Sequence, residues 1–539
     1  MEMKNKQLKE DGQASAPEKL FAFASVRSVG GKSLFDEKDI VTSQNAHLFQ
    51  SEEQLITQAI KKFTELGFEV LGQSKIGVSI AGPISLYEKI FKTKISSNEK
   101  RVIKESGKED DATFWDSNNS PTPGLINTNE SPLADLIEGI AIEEPIYFMS
   151  ERIIGPYKTY NHLTVPDGVG VVLNAYQAHR SGFTGKGIKI CMVDSGWYKH
   201  PFFTSRYYNV LTPLLGPSAV SPLTDENGHG TSESANIFAV APEVTLQPVK
   251  INFVNSIGAF NVAVTQSPQI ITCSWGSSIR NPPLSAANQA LAASIASAVA
   301  SGIVVVFSAG NIHYGFPGQH PDVISAGGVY REMDGTLKAS NYASGFTSNI
   351  YTSRKVPDLS GLVGMLPRAA YLMLPLPANC EIDQALGNGS PHPNGDETAT
   401  NDGWAAISGT SAAAPQIAGA CALVLQAYPG ISPARVRSFL MSTATDVTIG
   451  VGGNGSVATV GYDTATGAGL LNAGKAALLA RWRRIIESIV IRPNPIPPIL
   501  PERPNMFAAE HQAAYMAANN HYNDNTNLFQ QIEDLILQN

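Results

Sequence analysis

Three short stretches of this chain set a reactive side chain among small residues. They are Val193-Asp194-Ser195-Gly196, Asn227-Gly228-His229-Gly230-Thr231 and Gly409-Thr410-Ser411-Ala412-Ala413-Ala414-Pro415. An apolar run from Ile417 to Ala427 follows Ser411 and stops at Pro429-Gly430. It is apolar on nearly every face, which predicts a helix deep in the core. A serine at the N-terminus of such a helix lies near unpaired backbone N–H groups and the positive end of the dipole. That setting suits a nucleophile whose attack creates an oxyanion. The glycines beside His229 let another backbone approach and leave the imidazole accessible. Asp194 closes the run Ile188-Lys189-Ile190-Cys191-Met192-Val193, and the C-terminal ends of parallel strands are where open α/β sheets collect ligands and chemistry. Asn311, after Ser308-Ala309-Gly310, offers a side-chain N–H₂ at another strand end, a donor suited to an oxyanion hole. Taken singly, each residue also has an ordinary reading: Ser411 as a helix cap, Asp194 as a turn former, His229 as one of ten histidines, Asn311 as a loop residue.

Between about 165 and 480, strands and helices alternate, which predicts a parallel sheet covered on both faces. The predicted strands are 188–193, 241–250, 270–276 and 302–307, and Ala286 to Ala300 is an Ala-rich helix. The first part of the chain reads differently. Leu20 to Val26 is a strand. Ser51 opens a helix as a capping box with Gln54, with Leu55, Ile56, Ala59, Ile60, Phe63 and Leu66 as its stripe and Gly67 as its end. Strands at 68–71 and 76–80, a helix at 84–91 and a strand near 100–103 complete the order β-α-β-β-α-β of a split βαβ, ferredoxin-like unit. Residues 105–131 read as a polar loop, and Leu133 to Ile142 as a short helix.

The 539 residues suffice for two or three domains; 43% are hydrophobic and 16% charged, a globular balance. A net charge of −8 without a long basic run gives no support for nucleic acid as a partner. Met1 to Lys19 is polar, without the apolar core of a secretory signal, and no apolar run is long enough to span a bilayer, so the expected setting is cytoplasmic, without a membrane partner. Of the four cysteines, Cys191, Cys273 and Cys421 lie in apolar runs and read as small core residues; Cys380 is the fourth, and no disulfide is assumed. No Cys/His cluster suggests zinc.

Asp194, His229 and Ser411 follow the order of the subtilisin triad, which is not that of chymotrypsin or of the α/β-hydrolases. With Ser274-Trp275-Gly276, Ser308-Ala309-Gly310-Asn311, Pro357-Asp358 and Gly467-Ala468-Gly469-Leu470-Leu471-Asn472-Ala473, residues 165–480 resemble the subtilase superfamily of serine peptidases. The resemblance implies an α/β fold, a subtilisin-like parallel sheet with helices on both faces. It implies that Ser411 is the nucleophile, His229 the general base and then acid, and Asp194 the residue that orients His229, with Asn311 and the Ser411 N–H holding the oxyanion. Ser274, Trp275 and Gly276 on one side and Ser308, Ala309 and Gly310 on the other look like edges that bind an extended peptide by strand addition. Trp275 also hints at an apolar contact in the cleft.

The first segment is similar to the prosegment of sedolisin-type peptidases, through Gly67-Phe68-Glu69-Val70, Val78-Ser79-Ile80-Ala81-Gly82, Leu86-Tyr87-Glu88-Lys89-Ile90-Phe91 and Ser131-Pro132-Leu133-Ala134-Asp135-Leu136. The expected domains are a disordered N-terminus (1–19), a ferredoxin-like α+β prosegment (20–150), a linker and processing region (151–164), the peptidase domain (165–484), and a Pro-rich linker and tail (485–539), with Arg481-Trp482-Arg483-Arg484 ending the last core helix. A non-processed accessory domain is the other reading of residues 20–150. Residues 377–403, rich in Gly, Pro, Asn and Asp, read as an inserted surface loop near the nucleophile, either limiting access or simply harmless. Asp446 and Asp463 resemble part of a sedolisin-type calcium loop; a structural calcium is the one metal entertained, and no cofactor is expected for catalysis. The function implied is a serine endopeptidase made as a self-processing zymogen, with peptides or proteins as substrate and its own prosegment as intramolecular inhibitor. A subtilase-fold transpeptidase or macrocyclase and a catalytically silent peptide-binding scaffold are the alternatives.

Overall fold

The computed structural model describes residues 17–490 except 37–39, 104–108, 149–161, 366–370, 387–395 and 397. The expectations for residues 1–16, for the processing region up to 161, for much of the 377–403 insertion and for the tail from 491 fall outside the described residues.

The larger unit is built on a sheet whose parallel strands lie in the order Thr245–Lys250, Lys189–Asp194, Ile270–Cys273, Val304–Ser308, Ile324–Arg331 and Leu359–Leu362. The first strand in the chain therefore lies between the second and the third. The sheet's winding changes direction there, and open α/β sheets form their crevice at such a switch point. Asp194 ends one of the two strands flanking that point, and Ser274 follows the other. Alternate side chains go to opposite faces. Ile190, Met192, Val304 and Val306 join the core shared by the helices His229–Val240, Thr410–Ala427 and Ala473–Val490. Cys191, Val193, Val305 and Phe307 join the core under Ser256–Thr265 and Ala286–Ala300. The predicted 270–276 strand breaks at Ser274, and a separate strand, Trp275–Ser278, leaves the sheet. The last helix runs through 481–484 to Val490 rather than ending there.

In the N-terminal unit, Glu69–Ser74, Gly77–Gly82, Leu20–Val26, Ile137–Ile142 and Leu125–Ile126 form one antiparallel sheet in that order. The helices Glu53–Leu66 and Ile84–Phe91 cover one face through Ile56, Phe63, Tyr87 and Phe91. The β-α-β-β-α-β order is present, but its last strand is Ile137–Ile142, not 100–103. Its run Ile137-Glu138-Gly139-Ile140-Ala141-Ile142 is buried on both faces, Ile140 under the helices and Ala141 toward the larger unit, so period alone does not distinguish it from the predicted helix. Ile95–Ile103 pairs with Glu109–Ser117, inside the predicted polar loop, as a separate exposed hairpin. The capping box at Ser51 does not form: the helix is capped at Glu52 without a side-chain bond, and the Ser51 hydroxyl donates to the Val26 carbonyl at 2.8 Å. Gly67 does end the helix, with φ of 94°.

The uncovered face of this small sheet lies on the larger unit. Phe23, Phe49 and Ala141 share one core with Ile257, Phe260, Ala290 and Ala293. Glu143 accepts a 3.4 Å bond from Ser256 at the start of one helix, and Glu144 a 2.9 Å bond from Asn288 in the first turn of the next. Tyr147–Phe148 then pairs antiparallel with Trp275–Gly276. Among the described residues, no helix is long and apolar enough to cross a membrane.

Candidate active site

Asp194 and His229 meet directly. The His229 ring lies with Nδ1 at 2.7 Å from Asp194 Oδ1, and both residues are buried. Asp194 is fixed by its strand and also accepts the Ser195 N–H at 2.7 Å. His229 is the first residue of its helix, after Gly228 in the left-handed region with φ of 94°. A side chain at Gly228 would also strike the Cys380 sulfur, so two constraints converge on that glycine.

The turn before His229 depends on Asp225, a residue not among the candidates that the sequence singles out. Its two oxygens accept the Gly228 N–H at 3.0 Å, the Thr231 N–H at 2.8 Å, the Thr231 hydroxyl at 2.7 Å and the Ser195 hydroxyl at 2.7 Å. The Ser195 oxygen in turn accepts the Gly230 N–H at 2.8 Å. One buried carboxylate thus ties the Asp194 strand end to the His229 helix start. Burial pushes its carboxyl up, and these four donors oppose the shift. The signal was available: an Asp three residues before a glycine that opens a helix is an Asx-type cap.

Ser411 is the second residue of its helix, after Gly409 with φ of 125°. Its hydroxyl donates to the Ser274 carbonyl at 3.2 Å, and the Ser274 hydroxyl donates to the Ser411 carbonyl at 2.9 Å. Asn311 stands on the other flank. Its Oδ1 accepts the Thr410 N–H at 3.0 Å, and the Thr410 hydroxyl accepts the Gly310 N–H at 3.2 Å. The structure therefore brings Ser274, Asn311, Thr410 and Ser411 together, and Asp194 with His229. The helices of His229 and Ser411 pack along each other.

The two proposed peptide edges differ. Trp275–Gly276 offers its backbone to Tyr147–Phe148, but the Trp275 indole is fully buried. Its N–H donates to the Val193 carbonyl at 2.8 Å, and its ring meets Phe307 edge-on. The expected apolar contact in the cleft is thus a core contact. Around Ser308, Ala309 and Gly310 much of the backbone is spoken for: Ala309 N–H bonds to Ala326, Gly310 N–H to Thr410, and the Gly310 carbonyl accepts from Ser344. A cleft of about 390 Å³ next to the Asp194 strand end is lined by Ile146, Ser195, Glu226, Lys250, Phe253 and Glu381.

The described part of the 377–403 insertion leans on the His229 loop. Glu381 and Ile382 donate their N–H groups to the Glu226 and Asn227 carbonyls, and Asn227 donates to Glu381 Oε2 at 2.8 Å. At the other candidate site, Asp463 accepts the Thr459, Ala465 and Thr466 N–H groups, and Asp446 the Gly461 N–H. These carboxylates organise their loop. They supply only part of the six to eight oxygens that calcium takes, and among the described residues no group of three or more His, Cys, Asp or Glu could hold a metal. All four cysteines are free and buried.

A family model described as the subtilase family matches residues 185–463. Subtilisin E of Bacillus subtilis strain 168 is 27% identical over 306 residues, 52% of this chain and 66% of that protein. Subtilisin DY of Bacillus licheniformis is 27% identical over 305 residues, 53% of this chain and 93% of that one. An extracellular serine proteinase of Thermus sp. strain Rt41A is 30% identical over 282 residues, 49% and 56% of the two chains. The crystal structure of fervidolysin from Fervidobacterium pennivorans, a keratinolytic enzyme related to subtilisin, superposes with a TM-score of 0.53 at 16% identity, over 87% of this chain and 62% of that one. The chain thus spans just under two thirds of Subtilisin E, and the last likeness concerns the fold alone.

Proposed function

Since this chain belongs to the subtilase family, we propose that it is a serine endopeptidase made as a zymogen. The observation that carries the proposal is the 2.7 Å Asp194–His229 bond at the sheet's switch point, beside a serine at the start of a buried helix. In the proposed reaction Ser411 Oγ attacks the peptide carbonyl carbon, and its proton passes to Nε2 of His229. Asp194, bonded to Nδ1, holds the ring and stabilises the imidazolium. The oxyanion is held by Asn311 Nδ2 and by the Ser411 N–H, one of the helix's first N–H groups, which have no partner within the helix. Collapse breaks the C–N bond, and His229 returns the proton to the leaving amine. Water, deprotonated by His229, then cleaves the acyl-enzyme.

The N-terminal unit is the proposed intramolecular inhibitor. Its last described strand, Tyr147–Phe148, uses the 275–276 edge that an extended substrate would use. Cleavage falls between Met149 and Val165, and peptides or proteins are the substrates. The test is to incubate the purified chain with a denatured protein and read the products by mass spectrometry, with Ser411→Ala as control. New free carboxyl termini are expected from the wild type alone. Joined or cyclic peptides would identify a transpeptidase instead, and no products from either chain would contradict both.

A further inference from the structure

Four residues after His229, and so on the same side of its helix, stands a carboxyl group that the mechanism above does not use. Glu233 is fully buried, and its Oε1 lies 3.8 Å from Nε2 of His229, the nitrogen that exchanges the proton. That oxygen has no hydrogen-bond partner among the described residues. The other oxygen accepts from Asn236 Nδ2 at 3.1 Å. Asn236 accepts from Gln416 at 3.0 Å, and Gln416, five residues after Ser411, is bonded to both backbone groups of Leu362. A buried polar chain therefore runs from the helix of the nucleophile to a carboxyl aimed at the base. An unmatched carboxyl oxygen in a core is costly, and a purely structural residue here has no need of one.

We propose that Glu233 is a positioning residue of the catalytic centre, a second carboxyl that faces Nε2 while Asp194 holds Nδ1, so that the imidazolium forms between two acids. This rests on the reading of His229 as general base. Burial pushes the Glu233 carboxyl up to about 8, and the charges acting on it are His229, which opposes the shift, and Asp194, which adds to it. From the elements packed around it, Asp225 is held by four donors, the Cys380 and Cys421 thiols are pushed up by burial, and Gln416 carries no charge. Burial favours the neutral carboxyl and the imidazolium favours the carboxylate, so as Glu233 ionises alongside His229 it favours the imidazolium and with it the transition state. The two groups titrate as a pair.

The experiment is the pH dependence of kcat/KM between pH 5 and 10 for wild type and Glu233→Gln, which keeps the bond to Asn236 but cannot ionise. The wild type should rise through two ionisations, gaining about tenfold between pH 7 and 9, while the variant levels off after one. Profiles of the same shape, even with the variant uniformly slower, would overturn the proposal, since a structural role lowers activity at every pH. His229 ring titration by NMR, in full-length Ser411→Ala chains with and without Glu233→Gln, gives a readout without turnover. The ring should titrate about a pH unit higher with Glu233 present, and equal values would overturn the proposal even if the chain proved not to be a peptidase. Should Glu233→Gln fail to fold, a wild-type profile with a single ionisation would overturn it alone.

Discussion

Asn311 spends its side-chain oxygen on the Thr410 N–H at 3.0 Å, which turns its amide nitrogen away from that bond, as an oxyanion donor requires. In the proposed role, Asn311→Leu should lower kcat by about 10²–10³, the magnitude found for an oxyanion-hole donor of subtilisin, with KM little changed; steady-state kinetics on one peptide checks this. Asp358 does a different task. Its carboxylate is fully buried and takes both Arg354 nitrogens, at 2.6 and 2.9 Å, a bond from Arg437 and the Ser325 N–H at 2.7 Å. Burial alone would raise its pKa, but the two guanidinium groups hold it below the usual value. Asp358→Ala leaves Arg354 buried without its partner and should cost about 3–5 kcal/mol of stability in urea unfolding. At this scale the sequence was most readable in motifs of small residues: those of Asp194 and His229 meet in a direct bond, and that of Asn311 bonds to the start of the Ser411 helix. It was silent on Glu233, because a carboxyl on a helix reads as a solvated face until burial is known.

Between elements, the docking of the small sheet on the helices Ser256–Thr265 and Ala286–Ala300 puts Glu143 and Glu144 at their N-terminal turns. Burial pushes the Glu143 carboxyl up to about 8, against the Ser256 hydroxyl and the Ile257 N–H. A carboxyl whose pKa is raised on docking contributes fully below its free value, about 4.3, and the contribution is lost as pH rises through about 8. In the full-length Ser411→Ala chain, the protection of amides 256–265 (their exchange relative to its intrinsic rise with pH) should fall as pH climbs from about 4 to about 8 and stay level above that, and Glu143→Gln should remove that fall. The missed strand 137–142 has a physical lesson. A strand buried on both faces has no alternation to read, whereas 286–300, long and Ala-rich, was legible to the residue. The 95–103 strand lies outside the sheet because most of its side chains are exposed or half-exposed.

Across the whole molecule, the alternation of strands and helices sufficed to predict a covered parallel sheet. The placing of the first strand between the second and third was not in the sequence, since order depends on long-range pairing. That order makes the crevice in which Asp194 and Ser274 face the helices of His229 and Ser411, and the N-terminal unit reaches it through Tyr147–Phe148. The central claim, a serine peptidase restrained by its own N-terminal unit, is tested most directly by the intact mass of wild type and Ser411→Ala after expression without added protease. The account predicts that the wild type alone loses about its first 150–165 residues, which end in the stretch of chain following Tyr147–Phe148. The same cleavage in Ser411→Ala, or two uncut chains that both fail to react with a serine-directed phosphonate, would contradict it.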